Sequence, residues 1–520
     1  MSPIKRFIGD RRGNVAMMFA LAMVPVVGAV GAAVDYARVT EIQSKLEDAL
    51  DAGVLAVGSQ PEMTDAKAFE MVNKWVAVHM GDKYSGYWHL DSVTQSDDGK
   101  ITAIASGDVD TTIVRVLGIT SVAIGATSEV VRSIGKVELV LVLDNTGSMR
   151  GEKIAKLKTA ATELVDTLAK ATKDPNDLRI GLVPFSQTVN VGPTYKSATW
   201  LDKDGNSASA KSLFMGLKVN RLDLFTKLGK SWGGCVETRA MPYETTDTLP
   251  DAGSPDTLYV PYFAPDEPGA RGAYGGSSYN NSYLADSSDK NILKEYGLGK
   301  KPSDWFKYVQ GDILKYAAGN PYGGRTTYSM GYQYGPNSGC EIAPLLRLST
   351  DTSKVKDAID DMIANGNTDI PIGLTWGWNV IAPDGPFGDG VAYNGDEWTK
   401  VVVLMTDGNN ANATGNQSDQ SLYAGVGYSW QGRMGTTANS QYQRMKARDA
   451  RLEAICAAMG AEAKGIVIYT VRVEVTSGTS TVLENCASKD GKFYDVKDVS
   501  ALATAFQDIG NSIQKLRLAR

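Results

Sequence analysis

An uncharged apolar run from Val15 to Val34 constrains this chain more than any other feature. As one helix it is long enough to cross the roughly 30 Å hydrocarbon core of a bilayer. Lys5, Arg6, Arg11 and Arg12 precede it, and Asp35, Glu41, Glu47, Asp48 and Asp51 follow. The positive-inside rule therefore keeps the first residues cytoplasmic and exports everything after Asp35. A secretory signal has a shorter apolar core, so the run reads as an uncleaved anchor. Ala29, Gly31 and Ala33 at its end leave cleavage as the alternative. A buried core helix is a poor third reading for a run flanked by four basic residues.

Cysteine usage agrees with export. Cys235, Cys340, Cys456 and Cys486 form no C-x-x-C pair, and His79 and His89 are the only two histidines, which is a poor set for zinc. Outside the cytoplasm disulfides are the expected state. Of three connectivities, Cys456–Cys486 is preferred as close in sequence and Cys235–Cys340 as closing a large insertion; reduced, buried thiols are the alternative. A net charge of −6, with no dense Lys/Arg run beyond the first dozen residues, gives no case for a nucleic-acid partner.

Three regions follow from the pattern: a cytoplasmic tip and anchor over 1–34, a pilin-like helix with a small α+β domain over 35–133, and an α/β domain over 134–520. Helical spacing of Tyr36, Val39, Ile42, Leu46, Leu50 and Val54 carries the anchor helix on to Val57, and Gly58 and Pro61 end it. A second helix spans Asp65 to Met80. Two alternating segments meet at Asp98-Gly99, a hairpin signal, and a short helix near Thr111 to Leu117 and a strand from Val122 to Val131 follow. A long half-membrane helix with a small strand-rich head is the outline of a pilin; a plain anchor with a spacer is the other reading.

From Lys136 strands and helices alternate. Val137–Leu143 is nearly continuous apolar, as a parallel strand covered on both faces should be. Strands at Leu178–Phe185, Lys400–Met405 and Gly465–Val473, with helices at Lys153–Ala171, Ser353–Ala364, Ile372–Ile381, Arg448–Ala463 and Val499–Leu516, predict an open parallel α/β sheet flanked by helices. Insertions interrupt it at about 192–350 and 409–443. Thirteen of the 23 tyrosines fall between Tyr243 and Tyr334, among Gly, Ser and Asn. That mixture suits an adaptable binding surface or an ordered cap packed on the sheet edge.

Candidate metal ligands sit where α/β sheets place ligands, at the carboxyl ends of strands. The first strand runs into Asp144-Asn145-Thr146-Gly147-Ser148, the strand at Lys400 into Thr406-Asp407-Gly408, and Gly366-Asn367-Thr368 precedes a helix. Asp144, Thr146, Ser148, Thr368 and Asp407 offer carboxylate and hydroxyl oxygens without sulfur or imidazole, a set for Mg²⁺, Mn²⁺ or Ca²⁺. Singly, each piece is also explained by a helix cap or a turn, and Asp369 competes with Thr368 for any role.

The D-x-T-x-S of Asp144 to Ser148, with Thr368 and the Thr-Asp-Gly at Asp407, resembles the metal-ion-dependent adhesion site of von Willebrand factor A domains, with Thr146 where Ser is usual. The resemblance implies a Rossmann-type sheet and a bound divalent ion. Arg12-Gly13-Asn14-Val15-Ala16 and Val34-Asp35-Tyr36 resemble the start of TadG-like proteins of Flp/Tad pilus-assembly systems. That implies a single-pass protein of the bacterial inner membrane, with its main domain periplasmic or on the cell surface, and pilus or pilus-assembly partners or a surface ligand with an acidic group. Pilin precursors carry Glu at the fifth position after the cleavage Gly; here that position is Met18. An envelope-anchored adhesion and assembly protein is the leading expectation. A structural minor pilin-like component, its metal only stabilising the fold, is the second. A metal-dependent hydrolase lacks support: no Gly-x-Ser-x-Gly, HExxH or phosphate loop occurs.

Overall fold

The structure is a computed structural model; the residues described are 12–60, 63–96, 100–131, 136–172, 174–268, 281–318, 334–395, 397–411, 422–438, 440–461, 463–474, 480–488 and 491–515. The chain divides into two compact units, Met1–Ile134 with Gln514–Arg520, and Gly135–Ile513.

In the first unit one helix, α1 (Arg12–Gly58), runs from the apolar segment into the head. Its two halves differ in what they cover. Ile42, Leu46, Leu50 and Val54 are fully buried, packed with Val72 and Val76 of α2 (Asp65–Met80) and with Ile101, Ala103 and Val109 of the sheet. Met18, Phe19, Leu21, Val24, Val27 and Val30 are half or more exposed, which is how a lipid-facing helix looks without its lipid. Among the described residues this is the one helix apolar and long enough to cross a membrane. The sheet is antiparallel, β1 (His89–Gln95), β2 (Lys100–Asp110), β3 (Ser121–Val131), with β2 central. The turn at Asp98-Gly99 lies outside the described residues. The short helix near Thr111 is a single 3₁₀ turn, Val114–Leu117.

The second unit is a six-stranded sheet in the order β9-β8-β7-β4-β5-β6. Its strands are β4 (Lys136–Asp144), β5 (Leu178–Phe185), β6 (Leu346–Ser349), β7 (Trp398–Thr406), β8 (Ile466–Val473) and β9 (Phe493–Val496). The first five in spatial order are parallel; β6 pairs antiparallel with β5 at the edge. Every residue of β4 after Lys136 is buried. Among them is Glu138, whose charge the buried Lys400 ammonium neutralises from the next strand. On the sheet lie α3 (Glu152–Lys170), α4 (Thr352–Asp360), α5 (Ile370–Ile381), α6 (Gln441–Met459) and α7 (Leu502–Lys515). All of α5 is buried, which explains a helix apolar on every face.

Three elements differ from the sequence reading. β6 lies inside the range 192–350 read as insertion, because four half-buried residues carry too little alternation to signal a strand. α6 begins at Gln441, seven residues before the Arg448 start, because its first turns are polar. Four of the insertion's tyrosines face inward, while Tyr274, Tyr279, Tyr322, Tyr328 and Tyr332 lie outside the described residues. Tyr259, Tyr262, Tyr283 and Tyr316 are at most 1% exposed and belong to the main core, where they pack with Phe263, Trp376 and Trp200. The composition shows how much aromatic area a segment has, not which way it faces.

The insertion is built of short helices and loops, closed on itself by Cys235–Cys340; Cys456 is bonded to Cys486. Cys235 and Cys340 are 105 residues apart, so removing that bond is expected to cost about 5 kcal/mol in the chain-entropy model. C235S/C340S is expected to unfold at markedly lower denaturant than the wild type, whereas the shorter 30-residue loop of Cys456–Cys486 should cost less. Equal midpoints for the two double variants would contradict this.

Candidate metal centre

The site lies at the topological switch point of the sheet. From β4 the chain turns one way to β5 and later the other way to β7, so the loops after β4 and β7 part and leave a crevice at their carboxyl ends. Asp144 closes β4, and Asp407 follows the last residue of β7, Thr406.

The loop after β4 is held from both sides. Asn145 N–H donates to Phe185 O at 2.8 Å, and Gly147 N–H donates to Gly366 O at 2.9 Å. Asn365 N–H returns a bond to Asn145 O at 2.7 Å. Gly366 has φ +85°, a left-handed backbone that a side chain would strain, and this turn brings the 365–369 loop to the β4 loop.

Within this frame Asp144, Thr146, Ser148 and Asp407 form one hydrogen-bonded cluster. Asp144 Oδ1 accepts from Thr146 N–H at 2.8 Å and Oδ2 from the Thr406 hydroxyl at 2.6 Å. The Thr146 and Ser148 hydroxyls are 2.9 Å apart, and Ser148 donates to Asp407 Oδ1 at 2.7 Å. Thr368 lies on the adjoining loop; its carbonyl accepts from Ala411 N–H at 2.8 Å. Among the described residues its hydroxyl makes no hydrogen bond to the other four. Asp369 is engaged elsewhere. Its Oδ1 accepts from Ile372 N–H at the start of α5 and binds Arg448 Nη2 at 2.6 Å, while Arg448 Nη1 binds Glu244 Oε1 at 2.6 Å.

Two further residues at the site escaped the sequence reading. Lys153 Nζ, one turn into α3, is 2.8 Å from Asp407 Oδ2 and 3.4 Å from Glu474 Oε2. Burial disfavours its ammonium, but the bonds and charges of Asp407 and Glu474 together outweigh that and hold its pKa above the ordinary value. Position 153 is part-buried and falls in helical register with the buried Leu157, Ala160 and Leu164, so a lysine breaking the apolar stripe was the one signal that marked it. Asn145 is fully buried, and neither its Oδ1 nor its Nδ2 has a hydrogen-bond partner.

The two carboxylates of the cluster are buried, while Ser148 opens to solvent. Burial, then the nearby charge of Asp407, pushes the Asp144 carboxyl up to about 6. All donor atoms are oxygen, two of the groups are carboxylates, and Asn145 leaves a buried amide oxygen unsatisfied beside them. These residues fit a hard divalent cation, and no sulfur or imidazole competes for a softer one. Among the described residues no cluster of three or more His, Cys, Asp or Glu occurs, so hydroxyl and water ligands would have to complete any coordination shell here.

Residues 13–60 match the family described as Flp pilus-assembly TadE/G-like. Residues 138–213 match the von Willebrand factor type A domain. The second match takes in Asp144, Thr146 and Ser148 but ends before Thr368 and Asp407. No curated protein matches the sequence. Among solved structures, the chain is similar to the pilus adhesin SpaC of Lactobacillus rhamnosus GG, at 11% identity and TM-score 0.30, over 84% of this chain and 36% of that one. It thus spans about a third of that adhesin's length. The vWF domain of the type V pili tip protein Mfa5 of Porphyromonas gingivalis aligns at 10% identity and TM-score 0.32, over 74% of this chain and 97% of that one. The minor pilin PilB of Streptococcus sanguinis aligns at 11% identity and TM-score 0.31, over 83% and 79%.

Proposed function

We propose, for a chain whose N-terminal segment is TadE/G-like and whose larger unit carries a von Willebrand factor type A domain, a non-enzymatic role in pilus-associated adhesion and assembly. The protein is anchored by α1 in the bacterial inner membrane and presents its larger unit outside the cytoplasm. It holds its partner, a pilus component or a surface ligand with an acidic group, through a divalent ion at the Asp144–Asp407 crevice. Mg²⁺ is the first candidate, with Mn²⁺ and Ca²⁺ as alternatives.

The observation that carries this reading is the cluster of Asp144, Thr146, Ser148 and Asp407 at the switch point, with the orphaned Asn145 amide beside it. Those four residues, with Thr368 on the adjoining loop, would hold the ion. When bound it supplies an electrophilic position for a partner's carboxylate. The chain's own groups set the terms. Thr406 and the Thr146 N–H fix both oxygens of Asp144, and burial keeps water from screening the two carboxylates. Lys153 neutralises Asp407 and the cluster closes through its own hydrogen bonds, which supports a fold that forms without the ion. That favours adhesion over a merely stabilising metal.

Affinity capture with the purified region after Asp35, with and without Mg²⁺, tests the reading. A pilus or surface partner retained only with Mg²⁺, by a protein that is also folded without the ion, is the expected result. Capture indifferent to the ion, with Mg²⁺ raising only the melting temperature, would support the structural alternative instead.

A further inference from the structure

The loop between β2 and β3 is fastened to the outer end of the apolar run. Asp35, the first charge after that run, is 5% exposed and accepts three backbone N–H groups: Thr112 at 3.0 Å, Ile113 at 2.8 Å and Val114 at 2.8 Å. The loop also reaches below Asp35. Ile113 packs so closely on Gly31 that a Cβ there would lie 2.2 Å from its Cγ2. Gly31 is four residues earlier in α1, about 6 Å deeper along the helix axis. Any residue in contact with Gly31 therefore lies at the depth of the segment that crosses the bilayer.

What the loop displays there is apolar. Val116 is 89% exposed, the most exposed large hydrophobic side chain among the described residues. Ile119 is 51% exposed, Val122 38% and Ile113 36%. Six of its backbone N–H groups are paired within the unit. Besides the three bonds to Asp35, Thr111 N–H donates to Thr120 O at 3.0 Å and the Thr111 hydroxyl to Ile119 O. Val116 N–H donates to Ile113 O at 3.3 Å and Gly118 N–H to Arg115 O at 3.0 Å. Each donor paired in this way lowers the cost of placing the loop in a water-poor layer. Arg115 is exposed in the same turn, and Arg38 bonds Thr112 Oγ1 at 3.1 Å one turn above Asp35, so two cations stand at the level of lipid phosphates.

We propose that Ile113, Val116 and Ile119 form a second membrane contact, seated at the headgroup–acyl boundary of the outer face of the bilayer that α1 crosses. The occupant is lipid, because the exposed patch is continuous with the lipid-facing surface of α1. The contact fixes the head of the first unit against the membrane, as an interfacial element does. It rests on α1 being the anchor.

Depth-dependent quenching tests it on the full chain in vesicles of phosphatidylethanolamine and phosphatidylglycerol. All four cysteines are disulfide-bonded, so V116C provides one free thiol for an environment-sensitive fluorophore. The expected result is a blue-shifted emission, quenched several-fold more by a lipid nitroxide near the headgroup than by one near the chain end. The same label in T127C, exposed and roughly 17 Å along β3, should show neither. If the protein floats with the vesicles but the V116C label is quenched no more than the T127C label, the loop contact is refuted and the anchor stands. If the protein does not float, the anchor fails and the loop contact with it. Efficient V116C–V116C cross-linking without lipid quenching would assign the patch to a second copy and overturn the proposal.

Discussion

Asp144→Asn is expected to lower Mg²⁺ affinity about a hundredfold while making the metal-free protein more stable at neutral pH. The first effect follows from charge. The site has only two carboxylates, and loss of one charged ligand costs on the order of 3 kcal/mol. The second follows from burial. The folded-state carboxyl of Asp144 titrates at about 6, above the 3.8 of an unperturbed aspartate. A raised carboxyl binds its proton more tightly folded than unfolded, so ionisation penalises the fold as pH rises from about 4 to about 6. Above that range the full penalty, roughly 3 kcal/mol by linkage, is in place. Asparagine removes the charge and keeps an acceptor for Thr146 or Thr406. Titration calorimetry with Mg²⁺ and urea unfolding in chelator, at pH 4 and pH 7.5, read the two effects separately. Wild-type Mg²⁺ affinity in both Asp144→Asn and Asp407→Asn would end the metal assignment.

Arg448→Met is expected to cost about 3–5 kcal/mol of stability at pH 7.5, the range for breaking a buried pair from one side. Arg448 is 2% exposed and bridges Glu244 of the insertion to Asp369 of the site loop, with both carboxylates buried. Burial already raises the Asp369 carboxyl above its ordinary range against the pull of Arg448. Without that guanidinium the carboxyl rises further. The loss should therefore be smaller at pH 5, where the orphaned carboxylates can take up protons, and larger at pH 8. Arg451, 3.7 Å from Glu244, is too far to replace the lost bond. Asp369 follows Thr368 directly and caps α5, so Mg²⁺ affinity should also weaken if Thr368 is a ligand. Unchanged denaturation midpoints at both pH values would show that the bridge carries no stability.

Several features were legible in the chain because they depend on local periodicity. The continuous apolar stretch before Asp144 demanded a strand covered on both faces, and β4 is central in the sheet. The change from an all-round apolar run to a one-sided stripe near Asp35 marked where α1 passes from its uncovered half to the half that packs on its own head. Asp144, Thr146 and Ser148 were legible as a set because alternation in one short loop needs no partner from elsewhere.

The rest required distant segments to meet. Lys153 reaches Asp407 across 254 residues, and Arg448 reaches Glu244 across 204, and neither spacing has a period that sequence could display. The insertion's tyrosines announced aromatic area; only packing decided that four of them face inward. Val116 fell within the short helix read near Thr111 to Leu117, and the seating of its loop on Gly31 through Ile113 was decided by Asp35 gathering three N–H groups from 77 to 79 residues away. The sequence by itself determined the strongly periodic helices and strands and which loop holds the hard oxygens, since these are set by neighbours within a few residues. The tertiary structure alone decided which charges neutralise one another and which apolar groups remain uncovered, since both depend on contacts that chain order does not encode.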